Sequence, residues 1–152
     1  MLQSHSLSVQ KKKANYYSGK KKKHTLKTQV IFNPKLNQIV SIQIDIGRVH
    51  DLTIARKYTK EFANFPYVIA DLAYKGFKEI KSKLLIPIKK LKKQELPIEA
   101  QEINKEISRR RIGIEHINSK LKVFRILGER YRNRRKRFGL RMNLISGLIN
   151  WM

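Results

Sequence analysis

A chain of 152 residues with 35 Lys and Arg against 11 Asp and Glu carries a formal charge of +24, which drives it apart unless a polyanion is at hand. That balance points to nucleic acid, and it ranks an anionic membrane second, because the cations spread over several segments rather than one amphipathic helix. No cysteine is present, which excludes a disulfide framework and a thiolate metal site; no apolar run approaches the ~20 residues of a membrane span, and the start has no apolar export core.

The length suits one domain with a real core, here taken as 1–152, and the expected location is the cytoplasm. Residues 1–15 are polar, with Lys11, Lys12 and Lys13, and no stable element is expected there; the whole of 1–23 reads as a basic, flexible lead-in. The block Tyr16-Tyr-Ser-Gly-Lys-Lys-Lys-Lys-His24 sets two tyrosines and a glycine beside Lys20, Lys21, Lys22 and Lys23. A solvated loop explains this composition; a phosphate-gripping arm with stacking tyrosines explains it equally well.

Two strands follow. His24–Phe32 is rich in β-branched residues, Asn33–Asn37 has turn chemistry, and Gln38–Ile46 alternates, with Ile42, Ile44 and Ile46 on one face and Ser41, Gln43 and Asp45 on the other. The turn makes them an antiparallel hairpin. A helix is predicted from Asp51, read as its N-cap, to about Phe62. The apolar run Tyr67–Ala70 reads as a buried central strand. It ends at Asp71, followed by a loop to Gly76 and a predicted helix over 76–83. An acid at the carboxyl end of a buried strand is where open α/β sheets place their sites, although Asp71 as a simple helix cap is an equal reading. Leu84–Ile88 is a further short strand, and Pro87 puts it at an edge or ends it early.

Pro97 opens a long helix predicted over about 98–127. Arg111, Glu115, Asn118 and Lys122 stand at offsets 0, 4, 7 and 11, which at about 100° per residue form one narrow stripe. Ile103, Ile107, Ile114, Ile117, Leu121 and Phe124 form another, apolar stripe. Glu115 is then a lone acid among cations; a plain helix salt bridge to Arg111 also accounts for it. Gly113 inside the helix costs roughly 1 kcal/mol against alanine, so a close approach of another backbone or a ligand is expected there. The run 129–137, with Arg132, Arg134, Arg135 and Arg137, is the densest basic segment and the second candidate for phosphate contacts. Phe138–Met152 is apolar enough to dock on the core as a helix.

The element order is that of an α/β layer with mixed strand directions. Its two candidate acids, Asp71 and Glu115, on a basic protein suggest a divalent metal, Mg²⁺ or Mn²⁺, at a phosphodiester.

Three blocks carry a family resemblance: 16–29 (Tyr-Tyr-Ser-Gly through Thr-Gln); Gly47-Arg-Val-His-Asp-Leu-Thr53 with Ala70-Asp-Leu-Ala-Tyr-Lys-Gly76; and Arg111-x3-Glu115-x6-Lys122. In kind and order they resemble the catalytic portion of bacterial insertion-sequence transposases of the DDE type. The resemblance implies a ribonuclease-H-like mixed sheet flanked by helices, with Asp71 and Glu115 as catalytic, metal-binding acids. Arg111 and Lys122 would grip DNA beside them, and the reaction would be metal-dependent cleavage and strand transfer at transposon ends and target DNA, in a nucleoid-associated setting. Two departures stand out. Ser108 occupies a position where the family pattern has a tyrosine. And residues 1–23 contain no Asp or Glu, whereas the first catalytic aspartate belongs on a first strand ahead of the Tyr16 block. The expectation is therefore a truncated or split enzyme that lacks its first strand and first metal ligand, binds DNA, and does not cut alone. A partner polypeptide supplying that strand, or a second copy of the chain, would be its protein partner. Asp45 and Asp51 are weak substitutes for the missing acid. A non-catalytic DNA-binding remnant or regulator is the alternative, and a basic RNA-binding protein the second.

Overall fold

A computed structural model describes residues 1–8, 17–18, 23–90, 95–128 and 137–152. Its centre is the predicted hairpin. β-Branched residues and alternation place strands over Lys23–Asn33 (β3) and Gln38–Ile46 (β4), antiparallel, with Leu26 opposite Ile46 and Thr28 opposite Ile44. The connecting turn is held by Asn33, whose Oδ1 accepts from the Lys35 amide at 3.0 Å, and by Asn37 at φ 52°, a left-handed conformation that asparagine tolerates.

The missing first strand, and the absence of any element in the first residues of the lead-in, are corrected here; residues 9–16 and 19–22 of the lead-in lie outside the described residues. Leu2–Ser8 is a strand (β1), antiparallel to β3 on the side away from β4, with Leu2 opposite Ile31 and Ser8 opposite Thr25. Tyr17–Ser18 (β2) pairs with His24 and Lys23 beyond that register. Polar composition hid β1, because its order comes from ladder bonds to its neighbours rather than from a run of apolar residues. Tyr67–Ile69 (β5) and Lys83–Leu85 (β6) are parallel, and a parallel bridge between Leu2 and Ala70 joins them to β1. The spatial order is thus β4-β3-β1-β5-β6, a mixed α/β arrangement compatible with the ribonuclease-H-like sheet. β6 stops before Pro87, as its missing N–H requires.

Two apolar layers cover the faces. On one, Val30, Phe32 and Ile69 meet Ile107, Ile114, Ile117 and Leu121 of the long helix Ile98–Val123 (α2) and Met142, Ile145 and Ile149 of the last helix Phe138–Trp151 (α4). On the other, Leu2, Ile31, Val68 and Ala70 meet Ala55 of helix Asp51–Lys57 (α1), Phe62, Tyr74 and Phe77. Asn150 clamps α4 to the edge strand: it accepts from the Ile39 amide at 2.7 Å and donates to the Ile39 carbonyl at 2.9 Å, which satisfies backbone groups that an edge leaves open.

Several local expectations shift. His50, not Asp51, caps α1, its Nδ1 accepting from the Leu52 amide at 3.3 Å. No helix forms over 76–83. Asp71 caps a three-residue 3₁₀ turn, Leu72–Tyr74, and Gly76 at φ 89° turns the chain so that Phe77 meets Phe62 edge-on at 5.4 Å. Burial of Tyr74 and Phe77 outweighs the local helical preference. α2 ends at Val123; Phe124 is extended, and a four-residue helix, Arg125–Gly128 (α3), follows. Ile103, assigned to the apolar stripe, is half exposed. The close approach at Gly113 is real but is made by the Phe32 ring: a Cβ there would lie 3.0 Å from Phe32 Cε1.

Candidate functional site

Asp71 continues the extended backbone of β5 (φ −87°, ψ 179°). Alternation along 68–71 puts Val68 and Ala70 in the α1-side layer and Ile69 in the α2-side layer, so Asp71 emerges on the α2 side. Its Oδ1 accepts from the Ala73 amide at 2.9 Å. Asp71 therefore stands at the strand end and caps the 3₁₀ turn that follows it, not the helix expected over 76–83.

Gln3 is one residue beyond Leu2, as Asp71 is one beyond Ala70, and those two are bridge partners in parallel strands. Gln3 and Asp71 are thus level on neighbouring strands and share the α2 face. Gln3 Oε1 accepts from Asn118 Nδ2 of α2 at 2.6 Å. Asn118 is 6% exposed, and its Oδ1 is buried with no hydrogen-bond partner among the described residues. Glu115 lies one turn before Asn118, about 4.5 Å along the axis.

The direction of α2 agrees. Arg110 lies beside Tyr67 at the start of β5, and Asn118 reaches Gln3, level with Asp71. Eight helical residues rise about 12 Å and four strand residues about 13 Å, so helix and strand keep step over this stretch, with Asn118 at the level of Asp71 and Glu115 one turn before it. Its carboxylate is exposed and makes no ion pair among the described residues. The salt bridge considered between Arg111 and Glu115 is not formed; the i,i+4 pair on this helix is Glu106 with Arg110, at 2.7 Å. The hydrogen bond and charge of Arg110 hold the exposed Glu106 carboxyl below its ordinary pKa, and Glu106 and Tyr67 raise that of Arg110. Arg111 is half-buried, and its Nε is buried without a hydrogen-bond partner among the described residues. Lys122 is exposed two turns on.

The two substitute acids lie elsewhere. Asp45 pairs with Lys57 at 2.5 Å, and Asp51 with Lys27 at 2.9 Å. Both serve the α1 side of the sheet, the face opposite Glu115, so neither completes the site. Among the described residues no three of His, Cys, Asp and Glu come together in a way that could hold a metal ion. Sequence reasoning singled out Asn118 by its spacing but missed Gln3, whose only signal was a polar residue beside Leu2. Lys20, Lys21, Lys22, the side chain of Lys23, and Arg132, Arg134 and Arg135 lie outside what is described. Arg137 directly precedes α4.

Comparison with known proteins completes the picture. The sequence model of a family described as DDE superfamily endonuclease matches residues 4–150. The chain is 43% identical over 141 residues to a protein of Microchaete diplosiphon described as a probable transposase for insertion sequence element IS702. That alignment takes in 93% of this chain and 51% of the relative, so the chain spans about half the length of that protein. No solved structure matches. With a mixed sheet flanked by helices, and with the family match running over nearly all its length, the chain belongs to the DDE superfamily endonucleases.

Proposed function

We propose that this chain is the catalytic-domain portion of an insertion-sequence transposase, that it binds DNA, and that by itself it does not cleave it. What supports this reading is Asp71 at the end of β5, Gln3 level with it on β1, and Asn118 of α2 hydrogen-bonded to Gln3 one turn from Glu115; we take Asp71 and Glu115 as the two carboxylates of one site. Hard divalent cations take oxygen donors, and Mg²⁺ is commonly held by one or two carboxylates with waters and substrate phosphates completing the shell. Asp71 and Glu115 suit such a loosely held Mg²⁺ or Mn²⁺. The set is one carboxylate short of the three acids in the family's name, so tight loading is not expected. Bound there, a divalent cation would neutralise charge at a phosphodiester. Arg111 and Lys122, on the same stripe of α2, would hold DNA phosphates, as would the lysines of 20–23 and the arginines of 132–137.

Leu2–Ser8 fills the strand position next to β5, so a partner polypeptide offering that strand would have to displace it. DNA and a second copy of the chain are the partners this reading keeps, and the bacterial nucleoid is the location that follows from them. No helix among the described residues is long and apolar enough to cross a membrane.

The test is duplex-DNA binding across a salt series, with a plasmid-nicking assay in Mg²⁺ or Mn²⁺. Between 50 and 200 mM salt, affinity should fall by about 10³-fold or more, as for proteins making six or more phosphate contacts. Asp71→Asn and Glu115→Gln should still bind. Nicking should stay at background. Nicking that disappears in Glu115→Gln would mean that the site is complete as it stands, and a preference for folded RNA over duplex DNA would overturn the reading altogether.

A further inference from the structure

We propose that Gln3 sets the metal affinity of this site: its neutral amide stands at the corner where a third carboxylate would close the Asp71–Glu115 pair, and Asn118 latches it there. The inference rests on the reading of those two acids as cation ligands. Three elements meet at one point. β1 and β5 are parallel, and the Leu2–Ala70 bridge puts Gln3 level with Asp71. α2 crosses above them, and Asn118 reaches down to donate to Gln3 Oε1 at 2.6 Å.

The latch leaves a trace that a purely structural cross-link would not require. Asn118 is nine-tenths buried, yet its Oδ1 has no hydrogen-bond partner among the described residues. A buried acceptor without a partner costs about 1–3 kcal/mol and calls for an explanation, a bound water or ion among them. The corner therefore offers amide oxygen where a hard cation gains most from carboxylate oxygen. Ligand charge count tunes divalent affinity over several decades, so one missing negative charge among three has a large effect. Glutamate has the shape of glutamine and still accepts from Asn118 Nδ2, so Gln3→Glu adds the charge without breaking the bond between β1 and α2.

The experiment is a Mn²⁺ titration without DNA, read by loss of the free-ion electron paramagnetic resonance signal. It compares the native chain, Gln3→Glu, Asp71→Asn, Glu115→Gln and the Gln3→Glu/Asp71→Asn double variant, with circular dichroism to check folding. Gln3→Glu should bind Mn²⁺ about tenfold tighter than the native chain, and the double variant should lose that gain. An unchanged affinity in folded Gln3→Glu overturns the proposal, and so does a gain that survives Asp71→Asn. Weak Mn²⁺ binding by the native chain that is indifferent to both Asp71→Asn and Glu115→Gln would instead sink the underlying assignment of the two acids. If Gln3→Glu does not fold, Asn118→Asp places a carboxylate on the other member of the pair. The same tenfold gain is expected there, and its absence counts against the proposal equally.

Discussion

Leu2 and Ala70 sit side by side in a parallel bridge, and that contact joins the antiparallel strands β4-β3-β1 to the parallel pair β5-β6. Leu2 is 1% exposed and packs in the layer that holds Ile31, Val68 and Phe62. Leu2→Ala should cost about 2–5 kcal/mol, as for leucines lost from packed cores, and should lower the urea midpoint in one cooperative transition. A loss well under 1 kcal/mol would mean that β1 lies outside the cooperative unit.

Gly47 closes β4 onto β3. Its amide donates to the Thr25 carbonyl at 2.8 Å, and a Cβ there would lie 1.8 Å from Thr25 Oγ1 and 2.7 Å from the Thr25 carbonyl oxygen. Gly47→Ala should destabilise by about 1–3 kcal/mol, the range for overpacking. Thr25→Gly in the same chain should recover only part of that, because the carbonyl stays in the way. Chemical denaturation of the single and double variants checks both points.

Gly113 sets two effects against each other. Alanine gains roughly 1 kcal/mol of helix propensity but brings Cβ to 3.0 Å from the Phe32 ring. Gly113→Ala alone should be close to neutral. In a Phe32→Leu background, where the ring edge is gone, the same substitution should stabilise by up to about 1 kcal/mol. A double-mutant cycle reads this as non-additivity between contacting residues, and strict additivity would show that the ring does not constrain the helix.

Asp45 and Asp51 hold α1 to the sheet and should leave cation binding alone. The Asp45 hydrogen bond raises the pKa of exposed Lys57, but a surface pair contributes under about 1 kcal/mol, so Asp45→Asn should be mild. Asp51→Asn should cost more, about 1–3 kcal/mol, because half-buried Lys27 then loses its anionic partner and keeps, among the described residues, neutral acceptors such as the Val49 carbonyl at 2.6 Å. Mn²⁺ uptake in both variants should equal that of the native chain. A drop in Asp45→Asn would bring that acid back as a ligand.

The sequence by itself determined the parts governed by near neighbours. Alternation and turn residues set β3 and β4, Pro and Gly marked the ends of β6 and the turn at 76, and helical periodicity placed α2 with Ile107, Ile114, Ile117 and Leu121 inward. Spacing also put Glu115 and Asn118 on one stripe, and the apolar run before it put Asp71 at a strand end. Only the tertiary structure decided the rest. β1 has too few apolar residues to signal a strand and is ordered by β3 on one side and Ala70 on the other. The predicted helix over 76–83 lost to the burial of Tyr74 and Phe77. The closeness of Gln3 and Asn118, 115 residues apart in the chain, exists because a parallel strand bridge and a long helix bring them to the same end of one sheet. Local periodicity carries no term for such a meeting, since it depends on which strands become neighbours and on the level at which the helix crosses them.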